Sequence, residues 1–293
     1  MGVFAVGWAA IFIRLADAPA LSTAAYRLLF AALPVAGYAA LRRRPELRGL
    51  GGSDRWLLFG SGAALAVHFA SWIASLQLTT IASSVALVTT QPLWAALIGA
   101  AVLRERLARG TVIAILVAAA GGALIGVQDF AAGGEALVGD GLALVGAVCA
   151  AIYFLIGRRV RAGLDLAGYI GVVYPAAALL LLAATIVARE PLTGFSGETW
   201  LMFLLLALVP QLIGHSSLNW AVRYLPAHIV TVALLGEPVL STLLAIPILG
   251  ERPGLLRIAG GAITLFGVYL ALREEVRNSR SVEAADAGEM PST

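Results

Sequence analysis

Ten apolar runs, each near the roughly 20 residues that a helix needs to cross a bilayer, take up almost the whole chain. They fall at about residues 2–17, 22–41, 55–79, 83–103, 110–128, 139–158, 166–188, 199–223, 227–249 and 255–272. The chain is 60% hydrophobic and only 13% charged, against about 25% charged in a soluble domain. In hydrocarbon a backbone must satisfy its own hydrogen bonds, so runs of this length read as membrane-spanning helices. The expected class is all-α integral membrane with ten transmembrane helices. The polar stretch 273–293 reads as a disordered cytoplasmic tail.

Arginine placement orients the chain. Its 20 basic residues are all arginine. With a cytoplasmic N-terminus, 15 of them fall in cytoplasmic loops or the tail, including Arg42, Arg104, Arg158 and Arg273. Arg14, Arg189, Arg252 and Arg257 fall outside. Arg27 is left in the second run, near its end, where a long side chain snorkels. This bias puts both termini in the cytoplasm and the protein, multi-pass, in the cytoplasmic (inner) membrane. A net charge of +3 spread over loops forms no nucleic-acid surface.

The chain also repeats itself. Pro92 through Glu105-Arg106 parallels Pro238 through Glu251-Arg252 at identical spacing, and Gly121 maps on Gly267 by the same offset. Ser75-Leu76-Gln77 resembles Ser217-Leu218-Asn219. The repeat unit is five helices, residues 1–128 and 139–272. An odd unit inserts its second copy upside down. That is the plan of secondary transporters, which bind substrate near the midplane where the repeats meet around a central cavity. Pro92 and Pro238 then mark the interrupted helices and are the candidate hinges.

Within the apolar runs, Glu237 is the one acidic residue placed deep in a run. Carrying a carboxylate to mid-bilayer costs about 2.5–3.5 kcal/mol on insertion scales, so it marks a water-lined path or a helix clamp. His68, Ser71, Trp72 and Ser75 share one helix face at i, i+3, i+4, i+7. Gln211, His215 and Asn219 follow at steps of four; Ser84, Gln91 and Trp94 lie on the fourth run, and Ser241 on the ninth. Trp8 and Tyr153 add aromatic surface. The candidate substrate-binding set is Trp8, His68, Trp72, Gln91, Trp94, Tyr153, Gln211, His215, Asn219 and Glu237. For the serines the alternative is a hydrogen bond to a neighbouring helix. For Trp8 it is an interfacial belt. Glu105 and Glu251 each end a helix beside an arginine and read as structural pairs. Gly121, Gly122, Gly126, Gly260, Gly261 and Gly267 suit close helix packing. A monomer or weak dimer is expected. No metal-ligand spacing, nucleophile elbow or phosphate-cradling glycine loop is present, and no cofactor is expected.

Trp72-Ile-Ala-Ser-Leu-Gln-Leu-Thr-Thr, Thr89-Thr-Gln-Pro, Leu218-Asn-Trp-Ala-Val-Arg-Tyr-Leu-Pro226 with Leu235-Gly-Glu-Pro, and Leu249-Gly-Glu251 resemble the EamA-type branch of the drug/metabolite transporter superfamily. The ten-helix plan is similar to that of the YddG-type aromatic amino-acid exporters. The resemblance implies export of amino acids, aromatic ones among them, or related small metabolites, by alternating access. Open alternatives are a multidrug or cation efflux transporter, a passive channel, and a membrane-embedded enzyme using His68, His215 and Glu237.

Overall fold

In the computed structural model, the apolar runs fold as helices packed together in one bundle. The structure describes residues 1–42, 49, 51–103, 107–132, 134–161, 163–218, 220 and 234–288. Among these, eight helices are long and apolar enough to cross a membrane. They are α2 (Ala20–Arg42), α3 (Gly52–Leu78), α4 (Ile81–Val102), α5 (Arg109–Ala131), α6 (Gly134–Val160), α7 (Leu166–Ala188), α8 (Gly197–Leu218) and α10 (Leu255–Glu274). Two shorter apolar helices are α1 (Gly2–Leu15) and α9 (Gly236–Leu249). No strand occurs among the described residues. The last helix continues without a break to Gly288. The stretch expected as a disordered tail is thus helical as far as it is described, and the Arg277–Glu274 pair at 2.9 Å is one local support.

Local chemistry fixes the helix ends. The side chains of Thr80, Asp165 and Ser196 each accept a backbone N–H of the first turn, of Ser83, Gly168 and Thr199 respectively, and so cap α4, α7 and α8. Gly250 closes α9 at φ 68°, a conformation that glycine adopts without strain.

Breaks inside helices follow the same logic. α4 is two pieces, Ile81–Val88 and Gln91–Leu103. Pro92 has no N–H to return to Val88, and the Thr89 and Thr90 hydroxyls donate to the Val85 and Leu87 carbonyls at 2.6 Å each. The break therefore precedes the proline. Pro238 likewise sits in the first turn of α9, where a proline is tolerated. α8 widens into a π-helix over Ala207–His215, with Pro210 inside it.

The helices pair in a regular way. α3 packs on α6 and α1 on α8; α4 packs on α6 and α1 on α9. α2 packs on α7, α4 on α9 and α5 on α10. The α5–α10 contact is the tightest: a Cβ on Gly121 would stand 2.5 Å from Thr264 N, and one on Gly267 2.5 Å from Ala118 N. Backbone meets backbone there because neither glycine has a side chain. Gly122 and Gly126 point elsewhere, toward Leu87 and Leu137. Leu116, Leu179, Val187, Leu243, Ile258 and Phe266 are exposed, an outer surface suited to lipid.

One end of the bundle is tied by polar groups. Arg14 reaches Glu251 at 3.1 Å and the Thr79 carbonyl at 2.9 Å. Glu251 also accepts from Ile81 N at 3.1 Å. Arg257 pairs with Asp129, which accepts from the Thr79 hydroxyl at 3.0 Å. Glu190 accepts from Ser22 N at 3.0 Å. Helices α1, α3, α5, α7 and α9 end in or beside this layer, and α2, α4, α6 and α10 begin there. Toward the opposite end lies a cleft of about 600 Å³ lined by Leu57, Ile98, Val102, Ile152, Ile156 and Arg159 among others.

Candidate functional site

Arg27 is the centre of the site, and the sequence reading of it as a snorkelling residue is wrong. Its residue is 0% exposed. It sits on the face of α2 that also buries Thr23, Ala24, Leu28 and Ala31, about 10 Å along the helix from Ala20. That face turns inward, so the side chain has no route to the membrane surface. Its Nε donates to Gln211 Oε1 at 2.9 Å across α8. The guanidinium lies over the Phe69 ring, 4.1 Å from its centroid, and 5.8 Å from that of Trp72. Neither terminal nitrogen has a hydrogen-bond partner among the described residues.

Around it α3 supplies a ring stack. His68 lies parallel to Trp72, with centroids 6.0 Å apart and planes 14° apart. Its Nδ1 donates to the Gly146 carbonyl of α6 at 2.9 Å, which fixes the ring. Phe69 meets the edge of His215 at 5.7 Å. The Trp72 indole N–H has no partner among the described residues.

Glu237 lies in the first turn of α9 and is half-buried. Among the described residues the ion pairs are Arg14–Glu251, Arg257–Asp129 and Arg277–Glu274; Arg27 and Glu237 form none. The Arg27 guanidinium is thus buried against aromatic rings with its two terminal nitrogens unpaired among the described residues. His68 is bonded to the Gly146 carbonyl and His215 meets the Phe69 ring.

The structure brings together His68, Trp72, Gln211, His215 and Glu237 from the predicted set. It adds Arg27 and Phe69. The argument applied to Glu237, a charge inside an apolar run, points to Arg27 as well once its helix face is considered. Steps of four along α8 do not describe the stripe there. In the π-helix the Ser216 N–H reaches five residues back to the Gln211 carbonyl, so the turn is wider and its faces are shifted. Asn219 lies outside the described residues, as do Glu105 and 227–233 of the ninth run.

The other candidates lie in separate settings. Trp8 stacks on Phe12 at 5.5 Å, at the joint between Gly2–Gly7 and Ala9–Leu15. Trp94 donates from Nε1 to the Thr90 hydroxyl at 3.2 Å, and Gln91 opens the second piece of α4. Tyr153 is buried against Phe154 and Tyr169. The serines bond protein: Ser71 to the Val67 carbonyl at 2.7 Å, Ser75 to Ser84, and Ser241 to the Gly7 carbonyl at 3.0 Å.

Besides Glu237, Asp129 and Asp140 are held in the helices, at 0% and 5% exposed. Both lie near helix ends, where hydropathy merges with loop polarity. Glu251 pairs with Arg14, far away in sequence, and not with the adjacent Arg252.

The sequence profile described as EamA-like transporter family matches the chain twice, over residues 1–127 and 137–273. One crystal structure is similar over 92% of this chain and 93% of its own, with 22% sequence identity and a TM-score of 0.65. At that identity the likeness speaks for the fold alone. No curated protein matches.

Proposed function

The chain belongs to the EamA-like transporter family, multi-pass membrane transporters of small metabolites, and from that membership we propose that it exports amino acids or closely related metabolites across the cytoplasmic membrane. It works by alternating access between two inverted five-helix halves, α1–α5 and α6–α10.

Helix pairing supports the inverted repeat. A two-fold that exchanges α1–α5 with α6–α10 turns the α3–α6 contact into α8–α1, and the α4–α6 contact into α9–α1. It maps α2–α7, α4–α9 and α5–α10 onto themselves. All of these contacts are present. The double match of the family profile agrees with this division. The gathering of the C-termini of α1, α3, α5, α7 and α9 and the N-termini of α2, α4, α6 and α10 at one end supports ten alternating crossings. With the termini cytoplasmic, the tied layer around Thr79 faces outward and the cleft near Arg159 faces the cytoplasm.

The observation that carries the reading is the buried Arg27 guanidinium, set against Phe69 and Trp72 with two nitrogens unpaired among the described residues. A guanidinium left unpaired inside a membrane protein is expensive unless a polar guest or water meets it. Glu237 suits a substrate ammonium, and Phe69, Trp72 and the His68 ring suit an apolar or aromatic side chain.

Counterflow tests this. Protein reconstituted in liposomes is loaded with unlabelled amino acids and aromatic amines in turn, and uptake of the labelled compound is followed. Saturable, stereoselective uptake of an amino acid is expected. Folded protein that moves none of the classes sinks the proposal.

A further inference from the structure

We infer that Arg27 binds the carboxylate of the transported molecule, so that the substrate is a zwitterion and bare amines are excluded; this rests on the transport reading above. Gln211 occupies the Nε edge of the guanidinium and Phe69 covers one face. What remains is the end of the fork, two terminal nitrogens without a partner among the described residues. That edge matches a carboxylate with two parallel hydrogen bonds. A buried charged donor left unpaired is destabilising, so a site built this way calls for an anionic guest.

Another role for Arg27 would be to neutralise Glu237. The same molecule shows what neutralisation looks like: Arg14 closes on Glu251 at 3.1 Å, and Arg257 closes on Asp129. Arg27 makes no such pair with Glu237 among the described residues. Its guanidinium is held back by Gln211 and the Phe69 ring. The unpaired end of the fork is thus left for a carboxylate. Arg27 takes the carboxylate, Glu237 takes the ammonium, and the side chain lies along the rings. A lone cation would meet the Arg27 charge and be repelled, which separates this site from one for lipophilic cations.

The test uses matched probes on the full-length protein: L-leucine and L-phenylalanine, their methyl esters, and the decarboxylated amines isoamylamine and phenethylamine. Counterflow and thermal stabilisation are both read. For wild type, esters and amines are expected to bind at least tenfold more weakly than the acids. Arg27→Gln is expected to lose at least tenfold in amino-acid affinity while its preference for acid over amine disappears. Arg27→Lys, which keeps the charge but not the fork, is expected to fall between. If Arg27→Gln does not fold, the wild-type comparison of acid with ester decides. Wild type that carries esters and amines as readily as acids overturns the role of Arg27 and leaves amino-acid transport standing. A folded Arg27→Gln with unchanged selectivity does the same. No response of wild type to any of the probes overturns both readings.

Discussion

Arg14 on the first helix and Glu251 after the ninth are 237 positions apart in the chain and 3.1 Å apart in space. The Glu251 carboxylate also takes the Ile81 N–H at the start of α4, and Arg14 takes the Thr79 carbonyl at the end of α3. One ion pair thus ties the ends of four helices. Glu251→Gln weakens charge-assisted bonds that each contribute about 1.5–3 kcal/mol. The expected result is a melting temperature several degrees lower in detergent, read by intrinsic fluorescence.

Arg257 is the counter-ion of the buried Asp129. Arg257→Met leaves that carboxylate uncompensated, a change that costs about 3–5 kcal/mol. Folded yield by size-exclusion chromatography should collapse. Adding Asp129→Asn in the same chain should restore much of it, because the uncompensated charge is then gone.

At the α5–α10 contact the expected outcome is steric. Gly267→Val places a branched side chain where even a Cβ would be 2.5 Å from Ala118 N. Overpacking of this kind costs about 1–3 kcal/mol or more. A clear fall in the thermal midpoint is expected, whereas Gly37→Ala, with nothing within 4 Å of its Cβ, should leave the midpoint unchanged or slightly raised.

Pro210 lies inside the π-helical stretch that carries Gln211 and His215. Pro210→Ala restores an N–H for Leu206 and favours an ordinary α-helical turn. Gln211 then rotates away from Arg27. Counterflow should fall at least tenfold while the melting temperature stays level or rises. Equal flux would show that the wide turn is not needed.

Glu237→Gln removes the negative partner of Arg27 without changing size. Flux should drop by a factor of about ten or more, with the protein still inserted and folded. Unchanged flux would reduce Glu237 to a structural residue.

The helical segments were legible because each rests on local chemistry. The α7 span, 166–188, coincides with its expected limits, set by Asp165 at one end and Arg189, in a left-handed turn, at the other. Gly134–Val160 begins earlier than hydropathy marks, because Gly134 and Glu135 are too polar for the average but suit a first turn. Glu237 was found from its own sequence because its run is unbroken. Arg27 is not legible in this way: near a helix end, hydropathy does not tell a charge that escapes to the surface from one that is turned inward.

What the sequence determined by itself is how the chain meets the bilayer: which stretches are apolar, where prolines and glycines interrupt or tighten them, and which way the loops face by charge. Transfer into lipid is close to a sum over single residues, so a local reading captures it. Which side chains meet was decided only by the tertiary structure. Arg27 finds Gln211 184 positions away, because rotation of α2 and the wide turn of α8 set their directions. Those rotations follow from contacts of each helix with its neighbours, such as Gly267 against Ala118, and no single segment contains them.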